Sequence, residues 1–370
     1  MRILVLGGYG HFGGRIARSL AVDSDLEILV AGRDAARARD FIAQASEAGR
    51  RMRAVRIDAD GDGLAREMRE LAPALVIHTA GPFQGRDYRV AEAALACGSH
   101  YIDLADGRAC VAGIDALDDR AKAGGRWAIS GASSVPGLTA AVIESLRARF
   151  SVLDAVDIGI SPGNRTPRGL ATTRAILGYV GQPYPALLDG EWRTVRGWQS
   201  LRRIRYPDIG ARWLARCEVP DLDVLPRRYP ALKTCEFRAG LDLRRMHFGL
   251  WLGSWLVRAG AIRSLQPWAE RLLAVSERWL ESGSDVGAMH VDLSGTGKDG
   301  TPLLWRWTLL ARDGDGPQVP CTAAIVLARK LARGDLPGSG ARACLDLFTL
   351  EEFMRALDGY AVETSLQAPP

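Results

Sequence analysis

Residues 2–14, Arg-Ile-Leu-Val-Leu-Gly-Gly-Tyr-Gly-His-Phe-Gly-Gly, decide the fold of this 370-residue chain. Arg2 to Leu6 is a short apolar run, which predicts a buried strand of a parallel sheet. The pattern Gly8-x-Gly10-x-x-Gly13 follows, and a helix is predicted from about Phe12 to Ala21. We expect the first glycine to allow a sharp turn, the second to leave the backbone open, and the third to let helix and strand pack closely.

This turn is typical of a dinucleotide-binding site. A second strand is predicted from Glu27 to Ala31, so the glycines lie in a strand–turn–helix–strand context. The bare backbone of the turn and the positive end of the helix dipole would face a pyrophosphate. A glycine-rich turn without a ligand is the alternative. The candidate cofactor-binding residues of the turn are Gly8, Tyr9, Gly10, His11, Phe12 and Gly13.

The end of the second strand selects between the two nicotinamide cofactors. An NAD site usually places Asp or Glu there, where the carboxylate holds the ribose 2′-hydroxyl. This chain has Gly32 and Arg33 instead. A guanidinium pairs with a 2′-phosphate, so the sequence favours NADP over NAD. The alternative for Arg33 is a solvated arginine.

Composition excludes several classes of function. The chain is 47% hydrophobic and 25% charged, with a net charge of +5 that comes mostly from arginines scattered among acids, which argues against a nucleic-acid surface. Six cysteines without Cys-x-x-Cys pairs, and a start that enters the first strand without a signal peptide, predict a reduced cytoplasmic protein. The histidines and cysteines lack ligand spacing, so no metal is expected.

The most apolar segment, Phe248 to Val257, carries Trp251 and Trp255. It is too short to span a bilayer. A contact with a membrane surface is one interpretation. A buried helix or a contact between two copies is favoured, and a homodimer is expected.

The order of predicted elements indicates the fold class. Strands and helices alternate to about residue 150, as in a doubly wound parallel sheet of the Rossmann type. The alternation then stops. We predict a Rossmann domain over 1–150, an inserted α+β domain for substrate or dimerisation over 151–317, and C-terminal helices over 318–370 that pack back on the first domain.

Further candidate residues follow the predicted strands, at the sheet edge where a dinucleotide lies. Asp58 could reach the adenine, or cap the next turn. The segment after the fourth strand could form one wall of the nicotinamide site, with Phe83 near the nicotinamide ring. Asp103, Asp106 and Ser134 are the catalytic candidates, as acids or hydrogen-bonding groups, with loop capping as the alternative for the acids. The wall residues are Ala80, Gly81, Pro82 and Phe83.

Two other groups of polar residues have weaker positions. His78 lies inside the fourth strand, which favours a core histidine over a catalytic one. A polar loop could bind a substrate carboxylate or could simply be solvated. Its members are Asn164, Arg165 and Arg168, with Arg174 nearby.

Five motifs resemble the saccharopine dehydrogenase-like oxidoreductases: Gly-Gly-Tyr-Gly-His-Phe-Gly (7–13), Ala-Gly-Arg (31–33), His-Thr-Ala-Gly-Pro-Phe (78–83), His-Tyr-Ile-Asp-Leu (100–104) and Ser-Val-Pro-Gly-Leu-Thr (134–139). That group includes saccharopine reductases and trans-acting enoyl reductases. The resemblance covers about the first 145 residues and, more loosely, residues 320–326. It implies hydride exchange between a nicotinamide cofactor and a C=N or C=C bond of a small metabolite, with the inserted domain as substrate lid.

Two other functions remain open at this stage. An extended short-chain dehydrogenase would need Tyr-x-x-x-Lys, and the one match, Tyr229 to Lys233, lies in an irregular region far from the predicted sheet. A non-catalytic NADP-binding sensor or membrane-associated scaffold would keep the glycine turn without a clear acid–base residue.

Overall fold

The computed structural model describes residues 1–166 and 169–368. The strands are β1 (Arg2–Leu6), β2 (Glu27–Gly32), β3 (Met52–Arg56), β4 (Leu75–His78), β5 (His100–Asp103), β6 (Trp127–Ser130), β7 (Phe150–Ser161), β8 (Pro183–Leu188), β9 (Glu191–Arg196), β10 (Arg202–Tyr206), β11 (Gly210–Arg216), β12 (Thr234–Ala239), β13 (Gly287–Gly297), β14 (Pro302–Ala311), β15 (Gly340–Ala343) and β16 (Val362–Gln367).

The α-helices are α1 (Gly13–Leu20), α2 (Ala35–Ala43), α3 (Leu64–Leu71), α4 (Arg89–Ala96), α5 (Arg108–Ala112), α6 (Asp118–Ala123), α7 (Thr139–Arg147), α8 (Leu170–Tyr179), α9 (Asp221–Arg228), α10 (Arg244–Arg258), α11 (Ala269–Glu277), α12 (Val319–Arg333) and α13 (Leu350–Arg355).

The chain forms two compact units. The first combines Met1–Ala141 with Gln318–Asp358, and the second combines Val142–Pro317 with the chain from Gly359 onward. The sequence-based division was at residues 150 and 317, with all of 318–370 assigned to the first domain. The structure instead gives the last strand, β16, to the second unit, where it pairs with β14.

The first unit is built on a parallel sheet of seven strands in the order β15-β6-β5-β4-β1-β2-β3. β1 lies between β2 and β4, and Ile3 to Leu6 are at most 1% exposed, as expected for a strand covered by helices on both faces. The Rossmann-type fold predicted from the sequence is therefore confirmed.

The seventh strand of this sheet comes from the C-terminal segment. β15 pairs with β6, with Gly340 opposite Trp127. Asp118 accepts a hydrogen bond from the backbone N–H of Ala341 at 2.9 Å. The strand is short and not apolar, so its sequence did not predict it.

Helix α12 returns to the first unit and packs on α1. Its N-terminal half is buried, and the Cys321 thiol donates to the Phe12 carbonyl at 3.5 Å. Near its C-terminal end, Arg329 pairs with Asp23 at 2.8 Å, just beyond α1. These contacts fix the helix that begins at the glycine turn.

The second unit contains a mixed sheet in the order β10-β11-β12-β7-β13-β14-β16, with β8 paired to β12 and β9 to β8. The α+β character predicted for 151–317 matches this arrangement. The sequence showed no clear period between residues 183 and 238, yet this region forms β8 to β12 and α9.

One face of the second sheet carries a layer of charges. Glu236, Asp157 and Asp292 stand directly opposite one another on β12, β7 and β13. Like charges in such positions repel. Arg238 bridges the first two, with contacts of 2.9 Å to Glu236 and 3.0 Å to Asp157, and Arg306 pairs with Asp292 at 2.6 Å. The matched guanidiniums make this acidic row compatible with a buried sheet.

Burial would raise the pKa of the Glu236 carboxyl, but Arg238 and Arg216 together hold it below its ordinary value. Arg216 lies 2.6 Å from Glu236. The carboxylate is therefore a charged partner for both arginines.

His290 is the buried histidine of the same face. It is 1% exposed, its Nδ1 lies 2.8 Å from the Tyr206 hydroxyl, and its Nε2 has no hydrogen-bond partner among the described residues. Its ring covers Gly159, where a Cβ would lie 2.2 Å from Cε1. Burial lowers the pKa of His290 to about 4.

We expect this histidine to make the protein acid-sensitive. Its folded pKa lies below the ordinary value of 6.5, so the unfolded chain binds more protons between pH 6.5 and about 4. Its stability contribution, present above pH 6.5, should be lost as pH falls to about 4, by up to about 3 kcal/mol. Urea unfolding across this range should show a shallower pH dependence for His290→Asn than for the native chain.

His11→Asn is the comparison, because His11 is only half-buried and its lowered pKa should give a smaller effect of the same sign. Equal pH slopes for the native chain and His290→Asn would show that the imidazole already titrates normally in the folded protein.

Candidate functional site

The glycine turn closes tightly after β1. Gly7 has a φ of 79°, and the N–H groups of Gly7 and Gly8 both donate to the Ala31 carbonyl, at 2.9 and 3.0 Å. The left-handed residue is therefore Gly7, which corrects the expectation that Gly8 makes the sharp turn. Gly8 is required for space instead, because a Cβ there would lie 2.8 Å from the Val5 carbonyl oxygen.

The next two glycines leave room on opposite sides of the turn. A Cβ on Gly13 would lie 2.3 Å from the Gly7 carbonyl oxygen and 2.6 Å from the Thr79 hydroxyl, so the helix start touches the strand. A Cβ on Gly10 would meet only the Gly7 carbonyl, at 3.0 Å, and Gly10 is exposed. The exposed backbone at Gly10, followed by the first turn of α1, is the cradle that a pyrophosphate needs.

The end of β2 is shaped by Tyr9. The Tyr9 ring covers Gly32, where a Cβ would lie 2.5 Å from ring atoms, and its hydroxyl accepts from the Asp34 N–H at 3.1 Å. The guanidinium of Arg37 lies 5.3 Å from the ring centroid. Arg33 is exposed beside this group. Two exposed arginines therefore lie at the end of β2 and the start of α2, and the sequence analysis named only Arg33.

The carboxylate next to Arg33 in the chain serves as a helix cap. Asp34 caps α2 and accepts from the backbone N–H groups of Ala36 at 2.9 Å and Arg37 at 3.1 Å. Its oxygen thus faces the helix N-terminus, as N-cap acids do. The exposed charged side chains at this strand end are therefore Arg33, Arg37 and Asp34, whose Oδ1 serves the helix.

The loops after β3 and β4 are joined by Arg86. It donates to the Pro82 carbonyl at 3.1 Å and pairs with Asp60. Asp58 is half-buried, and its Oδ1 accepts from the Asp60 N–H at 3.1 Å, which matches its alternative role as a turn cap. Ala80 and Gly81 are half-buried beside Pro82 and form the exposed side of this wall.

Phe83 faces inward. It is 6% exposed and packs edge to face on His78, with ring centroids 4.9 Å apart. The phenyl ring therefore supports the wall rather than presenting a face to a nicotinamide. His78 is 4% exposed, its Nδ1 lies 3.0 Å from the Tyr101 hydroxyl, and burial lowers its pKa to about 4. It is the core histidine that the sequence favoured.

Asp103 joins the ends of β5 and β6. It is 1% exposed and accepts from the Gly131 N–H at 2.8 Å, the Ser130 hydroxyl at 2.9 Å and the Ala105 N–H at 3.0 Å. Burial raises the pKa of Asp103, and these donors oppose the rise. A carboxylate enclosed in this way fits a positioning role better than contact with a substrate.

Asp106 is the more accessible of the two acids. It is half-buried in the loop after β5 and accepts from Gln84 Nε2 at 3.0 Å, while Gln84 Oε1 is buried with no partner among the described residues. Burial raises the pKa of Asp106, which favours its protonated form. Gln84 was missed in the sequence, although its place directly after Phe83 puts it at the same sheet edge.

Ser134 is 9% exposed in the segment between β6 and α7. Within the described residues, no hydrogen bond joins Ser134 to Asp103 or Asp106. His11 is half-buried on the glycine turn, and burial and then Arg15 lower its pKa, so it is a neutral imidazole near the phosphate cradle.

The predicted polar loop has a different role in the structure. Asn164 is fully buried, and its side-chain amide donates to the carbonyls of Trp279 at 2.6 Å and Ser282 at 2.7 Å. Arg174 pairs with Glu270 at 2.8 Å. Arg168 lies outside the described residues. Asn164 therefore anchors the segment after α11 instead of lining an open site.

The tyrosine–lysine pair of a short-chain dehydrogenase is absent from the described residues. Tyr229 donates to Glu144 at 2.5 Å, and Lys233 pairs with Asp154 at 2.8 Å, all within the second unit. The two side chains have separate partners and lie outside the Rossmann sheet. This arrangement removes the structural basis for that alternative.

The described residues contain no group of three or more histidine, cysteine or acidic side chains that could hold a metal ion. No helix among them is both long enough and apolar enough to cross a bilayer.

Residues 3–129 match the family model described as the saccharopine dehydrogenase NADP binding domain. The match covers all of the glycine turn, the arginine at the end of β2 and the loops after β3, β4 and β5. Residues 3–129 are therefore similar to the NADP-binding domain of saccharopine dehydrogenases, the resemblance that the motifs predicted. No curated protein sequence matches the chain.

A solved structure shares the fold. Apo histidine-tagged saccharopine dehydrogenase (L-Glu forming) from Saccharomyces cerevisiae is 13% identical, with a TM-score of 0.68 over 99% of this chain and 100% of that one. The amine dehydrogenase from Mycobacterium smegmatis is 10% identical, with 95% of each chain covered and a TM-score of 0.49. At these identities the likeness to the yeast enzyme shows a common fold. Together with the family match, it supports an NAD(P)-dependent oxidoreductase.

The turn geometry predicts separable effects of two glycine substitutions. Gly13→Ala must push apart the Gly7 carbonyl and α1, so we expect about 1–3 kcal/mol of destabilisation and loss of dinucleotide binding. Gly10→Ala adds its methyl group on the exposed side of the turn, so it should weaken binding with less change in stability. Thermal unfolding and NADPH titration of both variants measure this difference, and equal destabilisation by the two would contradict it.

Proposed function

We propose that this chain is an NADP-dependent oxidoreductase that exchanges a hydride with a C=N or C=C bond of a small molecule. The observation that carries the proposal is the glycine cradle followed by a strand end with two exposed arginines, where the acid Asp34 caps α2. The family match over residues 3–129 supports the same cofactor.

Each part of the cofactor has candidate partners in the first unit. The turn from Gly7 to Gly13 would hold the pyrophosphate, and Arg33 with Arg37 would pair with the 2′-phosphate. The wall from Ala80 to Pro82 would border the nicotinamide end. The cofactor, when bound, supplies or accepts the hydride.

Asp106 is the proposed proton donor. When a C=N or C=C bond is reduced, one atom receives the hydride and the other receives a proton. Asp106 lies at the carboxyl edge of the sheet, and its raised pKa favours the form that holds a proton. Gln84 fixes the carboxyl through its amide at 3.0 Å, while Asp103 holds the ends of β5 and β6 in place.

The expected setting is a cytoplasmic homodimer. No disulfide joins the six cysteines, all of which lie in described residues, which supports a reducing compartment. Exposed tryptophan and leucine side chains on α10 support a contact surface in the second unit.

The cofactor assignment predicts a change of preference in Arg33→Asp. A carboxylate at this position would repel the 2′-phosphate, so NADPH should bind about 10–100-fold more weakly while NADH binding changes little. Arg39→Asp introduces the same charge change on the exposed face of α2 and should leave both affinities near native values. Calorimetric titration of the two cofactors tests this, and equal native affinities for NADPH and NADH would refute the NADP assignment.

The proton-donor assignment predicts that Asp106→Asn lowers the turnover of NADPH with imine or enone substrates by about 10²–10⁴-fold. NADPH affinity and thermal stability should remain near native values. Native reducing activity should fall as pH rises through the raised pKa of Asp106, because the carboxyl then loses its proton. Asp115→Asn, at an exposed acid of the same unit, is the matched control.

Steady-state oxidation of NADPH across a panel of imines, enones and acyl thioesters measures this effect. Tight NADPH binding without turnover of any panel member would favour the non-catalytic sensor. Full activity of Asp106→Asn would assign the proton to another group.

A further inference from the structure

The second unit contains an apolar cavity between helices α8, α10 and α11. Its volume is about 330 Å³, within the range of small-molecule sites. Aliphatic side chains from all three helices and from the segment between α10 and α11 form its walls, together with Trp279. Among these side chains are Ile176, Leu177, Leu250, Leu265, Leu272 and Val275.

The few polar groups of the wall are already satisfied. The Thr173 hydroxyl donates to the Gly169 carbonyl at 3.2 Å, and the Ser276 hydroxyl donates to the Leu273 carbonyl at 2.7 Å. Both hydrogen bonds return to the backbone of the same helix or its N-terminus. The cavity therefore offers a hydrocarbon surface, which favours a hydrocarbon ligand over a polar metabolite.

One charged side chain lines this cavity. The Arg245 guanidinium lies 4.0 Å from the centroid of the Trp279 ring and 3.4 Å from the Ser282 hydroxyl. No carboxylate pairs with it in the part of the chain that the structure describes. An exposed guanidinium beside an apolar cavity is complementary to a ligand with an apolar body and an anionic head.

Two apolar side chains of the cavity wall are partly exposed to solvent. Leu272 is 37% exposed and Val275 38%, although both line the cavity. Apolar side chains that form a concave, open surface are a mark of a binding site.

We propose that this cavity binds the hydrocarbon chain of a single-chain fatty-acyl amphiphile, with its anionic head on Arg245. The site lies wholly within the second unit. No residue of the proposed cofactor site lines it, so the inference goes beyond the proposed oxidoreductase function.

Gly249 provides a variant that fills the cavity without disturbing the fold. It lines the cavity on α10, and a Cβ built there has no atom within 4 Å. Leucine is also a better helix former than glycine, so Gly249→Leu should be at least as stable as the native chain. Gly178→Leu, on α8, is the matched control, since Gly178 does not line the cavity and its nearest Cβ contact is 3.9 Å.

The experiment is calorimetric titration of the full chain with laurate and, separately, with dodecanol, both below micelle formation. We expect saturable binding of laurate, weakened about tenfold or more by Gly249→Leu and unchanged by Gly178→Leu. Arg245→Gln should weaken laurate about tenfold while changing dodecanol less than about twofold, because only laurate carries a charge. Quenching of Trp279 by laurate brominated on the carbon next to its carboxylate, lost in Trp279→Phe, should locate the anionic head beside Arg245.

NADPH titration of each variant separates this result from the cofactor proposal, because laurate binding can persist in a chain that binds no NADPH.

Absence of saturable laurate binding would overturn the inference, as would equal laurate affinity in Gly249→Leu. Binding confined to anionic phospholipid vesicles, unchanged by Gly249→Leu, would assign the surface to a membrane and also overturn it. A laurate affinity that falls as protein concentration rises would assign the cavity to a second copy of the chain.

Discussion

The first unit depends on one close approach, between the Gly7 carbonyl and the Cα of Gly13. A Cβ at residue 13 would lie 2.3 Å from that oxygen, so every residue other than glycine separates β1 from α1. The same approach aims the start of α1 at the space above Gly10. The packing of β1 against α1 and the proposed binding of a pyrophosphate thus both depend on the missing side chain at Gly13. Helix α12 holds the start and the end of α1 in place through Cys321 and Arg329.

The sequence predicted the elements whose own residues carry the signal. β1, β2 and β4 are apolar runs between turns and helices, and the Rossmann order follows from their alternation. β15 was missed because its pairing with β6 depends on a contact with Asp118, more than 200 residues away in the chain. β11 and β12 were missed because Arg216, Glu236 and Arg238 look solvated in a sequence but pair with one another in the sheet.

The sequence predicted which residues lie at the candidate site, but not which way their side chains point. Strand ends identify which residues reach the carboxyl edge, and Asp103 and Asp106 both do. Their surroundings separate them: Asp103 faces the backbone N–H groups of a neighbouring strand end, whereas Asp106 faces a glutamine side chain. Phe83 is a similar case, because the chain direction places it at the wall and only packing against His78 turns its ring inward.

The ion pairs of the second unit show which charged side chains serve the fold and which remain available to a ligand. Arg216 and Arg238 on the charged face each contact Glu236, so their charges are matched within the sheet. Removing either partner would leave a buried charge uncompensated, and such residues are poor candidates for recognition. Arg245 has an aromatic face and a hydroxyl as its described neighbours, beside walls that hold no unsatisfied polar group. The Arg245 guanidinium is therefore the charged group with which a bound anion would pair.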